Sequence, residues 1–143
     1  MTDEITKDEA LKYFKDVQFA CLSTMNGDQP KVRPMTLIYR DGKLWFGTGQ
    51  ESSVTKEIKA NGKIELCKML DVKHEIGSLR ATGTAALVED EEIANNLWKC
   101  CPFFADYWKT RDNAELQLIE IQIEEIKLTK PGEFTSHTIK IDD

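Results

Sequence analysis

The stretch KVRPMTLIYRDGKLWFGTG, residues 31–49, contains the strongest signal for a β-hairpin in this sequence. Its central dipeptide, Asp41-Gly42, tolerates the positive φ of a tight hairpin turn, so a β-strand is predicted on each side of it. Asn26-Gly27 marks a second turn of the same kind and adds one strand before the quoted stretch. Together these turns predict a meander of three antiparallel strands, over about 19–24, 31–39 and 43–48.

Short helices separate the remaining strands. Thr6 and Glu9 have the spacing of a capping box, flanked by Ile5 and Ala10 as a hydrophobic staple, which predicts a helix over about 7–15. Further apolar residues recur at helical spacing. Val54 and Ile58, followed by Asn61-Gly62, predict a short crossover helix, and Ile93, Leu97 and Cys101 predict two short helices within 90–109.

The last strand is predicted from LQLIEIQIEEIKL, residues 116–128. Ile119, Ile121 and Ile123 share one face, but the apolar phase then slips to Ile126, which indicates a β-bulge near Glu124-Glu125. Two more strands are predicted in KIELCKML and IGSLRATGTAALV, joined by a polar stretch, residues 71–75. Six or seven mainly antiparallel strands with short helices predict a mainly β fold, a small closed or split barrel, as one domain over 1–143.

Composition limits the function. The 143 residues carry 25 acidic and 19 basic side chains, a formal net charge of −6. Such a surface repels nucleic acid and acidic membranes, so neither is expected as a partner. The first ten residues show no leader pattern and no segment is apolar enough to span a membrane, which predicts a cytoplasmic protein. The cysteines, without a CxxC spacing, are expected to be reduced thiols: Cys21, Cys67, Cys100 and Cys101.

Arg33-Pro34-Met35 interrupts the second strand and is the first candidate for a binding site. Proline cannot donate to a β-ladder, so Pro34 must lie at an edge or where the neighbouring strand has parted. Arg33 beside it offers five N–H donors to a phosphate or a polarised carbonyl, although it could equally be a solvated strand residue.

FGTGQESSVTK, residues 46–56, is the second candidate. A strand ends at Gly47-Thr48, and the hydroxyls of Ser52 and Ser53 stand at the start of a helix, where free N–H groups favour an anion. Lys56 lies within one turn. The alternative is that a serine is only the N-cap. Counting from the Asp41-Gly42 turn predicts that Arg33-Pro34 and Gly47-Thr48 lie near each other on paired strands.

These residues resemble a known family. RPMTL, then LWFGTGQESS, EIKAN and LRATGTAALVEDEE are similar, in that order, to the pyridoxamine 5'-phosphate oxidase-like FMN-binding split barrels, especially the short general-stress-protein-like and nitroimidazole-reductase-like branches. The resemblance implies a six-stranded antiparallel split barrel of the FMN-binding type, forming a homodimer with FMN at the subunit interface. Arg33 would then reach the FMN phosphate or ribityl chain, Pro34, Met35 and Thr36 would line the isoalloxazine edge, and Thr48, Ser52 and Ser53 would hold the phosphate.

Two departures from the family pattern qualify this resemblance. Ser53-Val54 stands where the family commonly has a basic pair, so Lys56, or Arg80 of a partner chain, would have to supply the missing charge. The chain also has no arginine after Arg111, whereas authentic pyridoxamine phosphate oxidases grip their substrate with a C-terminal arginine and histidine motif. The resemblance therefore implies an FMN-dependent oxidoreductase with another small-molecule substrate, or a binding module that has lost tight FMN binding.

The remaining candidates are weaker. His74 and His137 lack partners at metal-ligand spacing, so both are expected at the surface and no metal site is predicted, although His74 could lie near a flavin in the nitroimidazole-reductase-like branch. The aromatic residues of the second half are expected in the core or as an apolar wall beside a flavin: Phe103, Phe104, Tyr107 and Trp108. Trp45, Phe103, Phe104 and Trp108, together with the isoleucines of the last strand, are expected to exceed what one chain can bury, which predicts a dimer.

Overall fold

The strands form a single antiparallel sheet that closes on itself. The computed structural model describes residues 5–141, so the first residues of the N-terminal stretch and both ends of the predicted 1–143 domain lie outside it. The strand order is β3-β2-β1-β4-β5-β6-β7, and an additional β3–β6 pairing closes the barrel. The strands are β1 (Val17–Asn26), β2 (Gln29–Arg40), β3 (Lys43–Gly49), β4 (Lys63–Val72), β5 (Glu75–Leu87), β6 (Leu116–Thr129) and β7 (His137–Lys140).

The predicted antiparallel barrel is confirmed, with one more strand than the six of the family pattern. β1 to β6 form the barrel, and β7 pairs with residues 125–128 of β6, beyond the part of β6 that pairs with β3. His137, which was expected at the surface, is therefore a half-buried strand residue. Both predicted hairpin turns form, with positive φ at Gly27, Asp41 and Gly42.

The β-bulge predicted in the last strand is confirmed at Glu124. The β5–β6 register shifts between Thr82, which pairs with Glu125, and Gly83, which pairs with Ile123, so Glu124 is the extra residue. Gly83 is needed there, because a Cβ atom at this position would meet the carbonyl oxygen of Gln122. The bulge bends β6 and so helps the sheet to close.

The helices lie at the ends and on one side of the barrel: α1 (Lys7–Leu11), α2 (Ser53–Ala60), α3 (Glu91–Cys100) and α4 (Pro102–Trp108). The Thr6 cap of α1 is confirmed, since its hydroxyl accepts from the Glu9 N–H at 3.1 Å. The predicted extension of α1 to residue 15 is wrong: Lys12 is the C-cap, and the N–H of Tyr13 turns back to the Ala10 carbonyl.

The barrel is split between β2 and β3. These strands pair only from Arg40↔Lys43 to Ile38↔Trp45, whereas the other edge of β3 pairs with β6 from Leu44 to Gly49. The prediction that Arg33-Pro34 and Gly47-Thr48 lie on paired strands is therefore wrong, because the pairing ends before it reaches them. The hairpin count failed because β2 and β3 part after three residue pairs, while β6 holds the opposite edge of β3 as far as Gly49.

Two apolar clusters fill the protein. The larger occupies the barrel interior, and the smaller lies between the outer side of β3 and helices α3 and α4. Together they bury the isoleucines of β6, Trp45 and Phe104, while Phe103 and Trp108 are half-buried. One chain therefore buries the isoleucines, Trp45 and Phe104, contrary to the expectation, whereas Phe103 and Trp108 keep some exposed apolar surface. The core placement of Tyr107 is wrong, because Tyr107 is exposed.

Exposed apolar side chains gather instead on the outer face of the sheet. Phe19 is 78% exposed, and Val32, Met69 and Ile76 are also largely exposed. They lie on the neighbouring strands β1, β2, β4 and β5. We call this set, together with Val17, the outer apolar face. Among residues 5–141, no helix is long and apolar enough to cross a membrane.

Candidate functional site

The free edge of β2 is the opening that Pro34 predicted. Residues 29–37 of β2 pair with β1 on one side, and the β3 pairing begins only at Ile38. Pro34 is exposed on this edge, where it interrupts no ladder, and Met35 and Thr36 are half-buried beside it. The free edge at these residues thus has unpaired backbone groups where a flat ligand could lie.

Arg33 lies at the end of the barrel beneath α2. It is directly opposite Leu22, which is fully buried, so its side chain is on the inner face of the sheet. Its Nη1 donates to the Thr24 hydroxyl at 2.8 Å and to the Leu22 carbonyl at 3.3 Å, and its Nη2 donates to Glu57 Oε1 at 2.9 Å. Arg33 is therefore not a solvated strand residue, since only 20% of its side chain is exposed.

Glu57 is the partner that sequence reasoning missed. Its carboxylate is 8% exposed and accepts from the Thr24 hydroxyl at 2.5 Å as well as from Arg33. The Thr24 hydrogen bond, with the bond and charge of Arg33 and the charge of Lys31, holds the pKa of Glu57 below its ordinary value despite burial. A signal existed, because Glu57 lies on the apolar stripe of α2 with Val54 and Ile58, where a carboxylate needs a buried partner.

Hydroxyl groups gather at the start of α2. Ser52 is the N-cap, and its Oγ accepts from the Thr55 N–H at 3.2 Å. Thr48 Oγ1 lies 3.1 Å from Ser52 Oγ, and the buried Thr55 hydroxyl donates to the Gly49 carbonyl at 2.7 Å. The strand end and the helix start are thereby joined in one polar cluster.

A cleft of about 310 Å³ lies between α2 and the β1–β2 turn. Ser53, Lys56 and Glu57 line it from the helix, and Met25, Asn26 and Gly27 line it from the turn. Ser53 and Lys56 are exposed, and the Lys56 ammonium lies 3.8 Å from the Glu51 carboxylate. The predicted residues Ser53 and Lys56 are thus brought together with Glu57, through which Arg33 is also connected.

The charge around this cleft is close to balanced. Arg33, Lys31 and Lys56 supply three positive charges, against the carboxylates of Glu57 and Glu51. Val54 cannot supply a fourth, because it is buried in the barrel core and a lysine there would lose its hydration. Of the two positions that hold the basic pair in the family pattern, position 53 alone faces outward here.

Gly47 has a packing role in this chain. A Cβ atom at this position would come within 3.1 Å of the Trp108 indole nitrogen and 3.4 Å of Phe104. The absence of a side chain therefore lets α4 close against β3, which explains Gly47 without a ligand. Phe104 belongs to the cluster beneath α4, whereas Phe103 borders a separate cavity of about 280 Å³ with Arg40 and Cys100.

Arg80 and His74 lie away from the α2 end. Arg80 is exposed in β5, in the same row across the sheet as Cys67 of β4, Cys21 of β1 and Pro34 of β2. Three strand spacings, roughly 14 Å, separate it from Pro34. His74 is exposed in the turn between β4 and β5. Within one chain neither residue joins the candidate site, and a role for Arg80 from a partner chain stays a prediction.

The chain belongs to the pyridoxamine 5'-phosphate oxidase-like family, whose model matches residues 6–138. The family resemblance inferred from the sequence motifs is thereby confirmed. A search of curated proteins finds no significant match. The match therefore identifies the family but no particular member of it.

Solved structures show the same fold. A NimC/NimA family protein from Clostridium acetobutylicum is 21% identical, with a TM-score of 0.76, covering 94% of this chain and 91% of that one. General stress protein 26 from Bacillus anthracis is 19% identical, with a TM-score of 0.73 and coverages of 94% and 98%. A FAD-binding protein from Mesorhizobium loti is 17% identical, with a TM-score of 0.71 and coverages of 85% and 92%. At these identities the likeness concerns the fold.

Proposed function

We propose that this protein is an FMN-dependent oxidoreductase of the pyridoxamine 5'-phosphate oxidase-like class that acts on an unidentified small molecule. The main support for this proposal is the free edge of β2, residues 29–37. It lies next to the hydroxyl-rich N-terminus of α2 and to a cleft with three nearby cations. The family membership and the FAD-binding protein of the same fold support a flavin as the ligand.

The site supplies enough hydrogen-bond donors for a flavin phosphate, but little net positive charge. Thr48, Ser52 and Ser53 carry hydroxyls at the start of α2, where helix N–H groups favour an anion. The Ser52 hydroxyl donates to Thr55 Oγ1 at 3.1 Å, so it would exchange that bond for one to the phosphate. Three of the five Arg33 N–H groups serve the bonds to Leu22, Thr24 and Glu57, which leaves two for a ligand. Lys56 would stand at the rim.

The flavin, when bound, supplies the electron-transfer chemistry, and the protein supplies position and exclusion of water. Pro34, Met35 and Thr36 on the free β2 edge would contact the flat ring system, with unpaired backbone groups available to its polar edge. Arg33 and the α2 hydroxyls would fix the phosphate end. A substrate other than pyridoxamine phosphate is expected, because the chain has no arginine after Arg111.

The absorbance spectrum of the purified protein, before and after FMN is added and the excess removed, tests this function. Retained flavin absorbance at one FMN per chain is the expected result. A protein that keeps no FMN at concentrations of tens of micromolar would contradict it. Riboflavin, which lacks the phosphate, is the matched control ligand.

A specific observation favours a second candidate, a binding module without tight FMN. Glu57 already neutralises Arg33, and Ser53 stands where the family commonly has a cation. Each missing charged hydrogen bond would cost about 1.5–3 kcal/mol of binding free energy. If the protein keeps no flavin while the variant Ser53→Arg does, the binding-module interpretation is the better one.

We also propose a homodimer with the outer apolar face at its interface. Four large apolar side chains are largely exposed there, on neighbouring strands rather than scattered singly. A second copy of the chain would cover them by two-fold symmetry and would bring its own Arg80 and β2 edge towards the first. Light scattering should then give twice the chain mass, and Phe19→Glu should give the monomer.

A further inference from the structure

Two of the four cysteines lie side by side on the outer face of the sheet. Cys21 in β1 and Cys67 in β4 are direct partners in the antiparallel register. Directly opposed residues of two such strands point to the same face. Cys21 is exposed and Cys67 is half-buried. We propose that these two thiols form a reversible dithiol–disulfide site that a low-molecular-weight disulfide oxidises.

The register places the two thiols within bonding reach. Opposed Cα atoms of antiparallel strands lie about 4.5–5.5 Å apart, and disulfides span Cα separations of about 4.4–6.8 Å. A bond between Cys21 and Cys67 therefore needs no rearrangement of the backbone. It would link β1 and β4 where their ladder holds three residue pairs, against ten between β1 and β2.

The other two cysteines offer a poorer pair. Cys100 is exposed at the end of α3, but its neighbour Cys101 is buried in the cluster beneath α4, and burial raises the pKa of the Cys101 thiol. The thiolate is the reactive form, so Cys101 is protected from exchange. Cys100 can therefore take up a single mixed disulfide but lacks a partner thiol on its own side.

Oxidation of the two thiols takes two successive thiol–disulfide exchange steps. The Cys21 thiolate attacks one sulfur of the disulfide RSSR, the S–S bond breaks, and one thiol RSH leaves with a proton. The Cys67 thiolate then attacks Cys21 Sγ and releases the second RSH. The protein loses two hydrogens and two electrons, and RSSR becomes two RSH. Arg80, opposite Cys67, places one cation beside the pair, and Glu65 lies two residues from Cys67 on the same face. The nearby charges are therefore mixed, and glutathione disulfide is the oxidant chosen as the probe.

The pair lies within the outer apolar face, where the proposed partner would cover it. The disulfide itself forms inside one chain and needs neither a partner nor a flavin. The reaction is therefore best followed in dilute protein, in which dissociated chains are most abundant. An exposed cross-strand disulfide is expected to be readily reduced again.

The test treats dilute, fully reduced protein with glutathione disulfide, then blocks the remaining thiols and maps the peptides. The expected result is a peptide pair joined between Cys21 and Cys67, which dithiothreitol separates. Cys67→Ser should instead keep one glutathione on Cys21, because the resolving thiol is gone. Cys100→Ser is the matched control and should leave the 21–67 link unchanged.

Two outcomes would overturn the proposal. One is that Cys21 and Cys67 of the wild-type protein stay reduced or each carry a glutathione. The other is that Cys67→Ser accumulates no more glutathione on Cys21 than the wild type does. The mapping of the wild-type protein decides the first outcome without any variant, so a misfolded variant cannot obscure it.

Discussion

The two ends of the barrel each bury a cation beneath a helix, but they satisfy it differently. At the α2 end, Arg33 pairs with the Glu57 carboxylate and the Thr24 hydroxyl. At the α1 end, the Lys68 ammonium donates to the Tyr13 carbonyl at 2.7 Å and to the Gln18 amide oxygen at 3.2 Å, with the Phe14 ring nearby. One cation thus has an opposite charge, and the other has neutral oxygens.

The difference explains why one end suits a ligand and the other serves the fold. The ion pair at the α2 end adjoins an open cleft, with spare Arg33 donors and the cations Lys31 and Lys56 nearby. Lys68 joins the end of α1 to β1 and β4, because it bonds the Tyr13 carbonyl and Gln18. Desolvation, followed by the charge of Lys15, lowers the pKa of Lys68. A ligand anion can take the place of the carboxylate that pairs with Arg33, which favours ligand binding. The neutral acceptors of Lys68 instead stabilise the fold.

The largest effect should come from removing the carboxylate at the α2 end. Glu57→Ala leaves Arg33 without its counter-charge in a mostly buried place, so the free energy of unfolding should fall by about 2–4 kcal/mol. Urea unfolding measures this change. Glu51→Ala is the matched control, since Glu51 is exposed and 3.8 Å from Lys56, and its loss should cost under about 0.5 kcal/mol. Equal losses of stability in Glu57→Ala and Glu51→Ala would show that the buried ion pair contributes no more than the exposed one.

Arg33→Ala should weaken FMN binding at least about tenfold, or about 1.4 kcal/mol, because its donors would no longer reach the phosphate. Fluorescence titration with FMN measures the dissociation constant. Circular dichroism must first show that the variant is folded, since Glu57 also loses its partner. A folded variant with the wild-type dissociation constant would show that Arg33 serves the ion pair alone.

Lys68→Met should change stability by no more than about 1 kcal/mol, because it removes a buried charge whose partners are neutral. The lowered pKa of Lys68 makes wild-type stability rise as pH increases from that lowered value towards 10.5, the ordinary lysine pKa. In Lys68→Met the stability should increase less over this pH range, because the titration of Lys68 is absent. Thermal unfolding between pH 8 and 10.5 checks both points, and a loss as large as that of Glu57→Ala would contradict them.

The smallest expected effect is on the pH dependence of the melting temperature below pH 4.5. The pKa of Glu57 is lower in the folded chain than its ordinary 4.5, so its contribution to stability is complete above pH 4.5. It is lost as the pH falls below 4.5 through the lowered pKa. The melting temperature should therefore drop less steeply below pH 4.5 for Glu57→Gln than for the wild type. Parallel slopes would show that other carboxyl groups cause the acid loss.

Local patterns were sufficient to predict most of the fold. The turns at Gly27 and Gly42, the bulge at Glu124 and the helices of residues 91–108 all follow from signals within a few residues of each feature. What they could not show is where a strand pairing ends. β2 and β3 part after three residue pairs, and the other edge of β3 is held by β6, which lies about 70 residues later in the chain.

The site was predicted less completely for the same reason. Pro34 indicated a gap because its backbone chemistry is local, and the gap is present. The partner of Arg33 comes from α2, 24 residues later, and becomes visible only when the helix closes the end of the barrel. The inward direction of Val54 and the packing role of Gly47 likewise depend on tertiary contacts.

The most direct test of the α2 end as a phosphate-holding site compares FMN with riboflavin on the wild-type protein. The two ligands share the ring and the ribityl chain and differ in the phosphate. FMN should bind at least about tenfold more tightly than riboflavin, a difference of about 1.4 kcal/mol, and a higher salt concentration should reduce this difference. Equal dissociation constants would contradict it, because the cations and hydroxyls around α2 would then hold no phosphate.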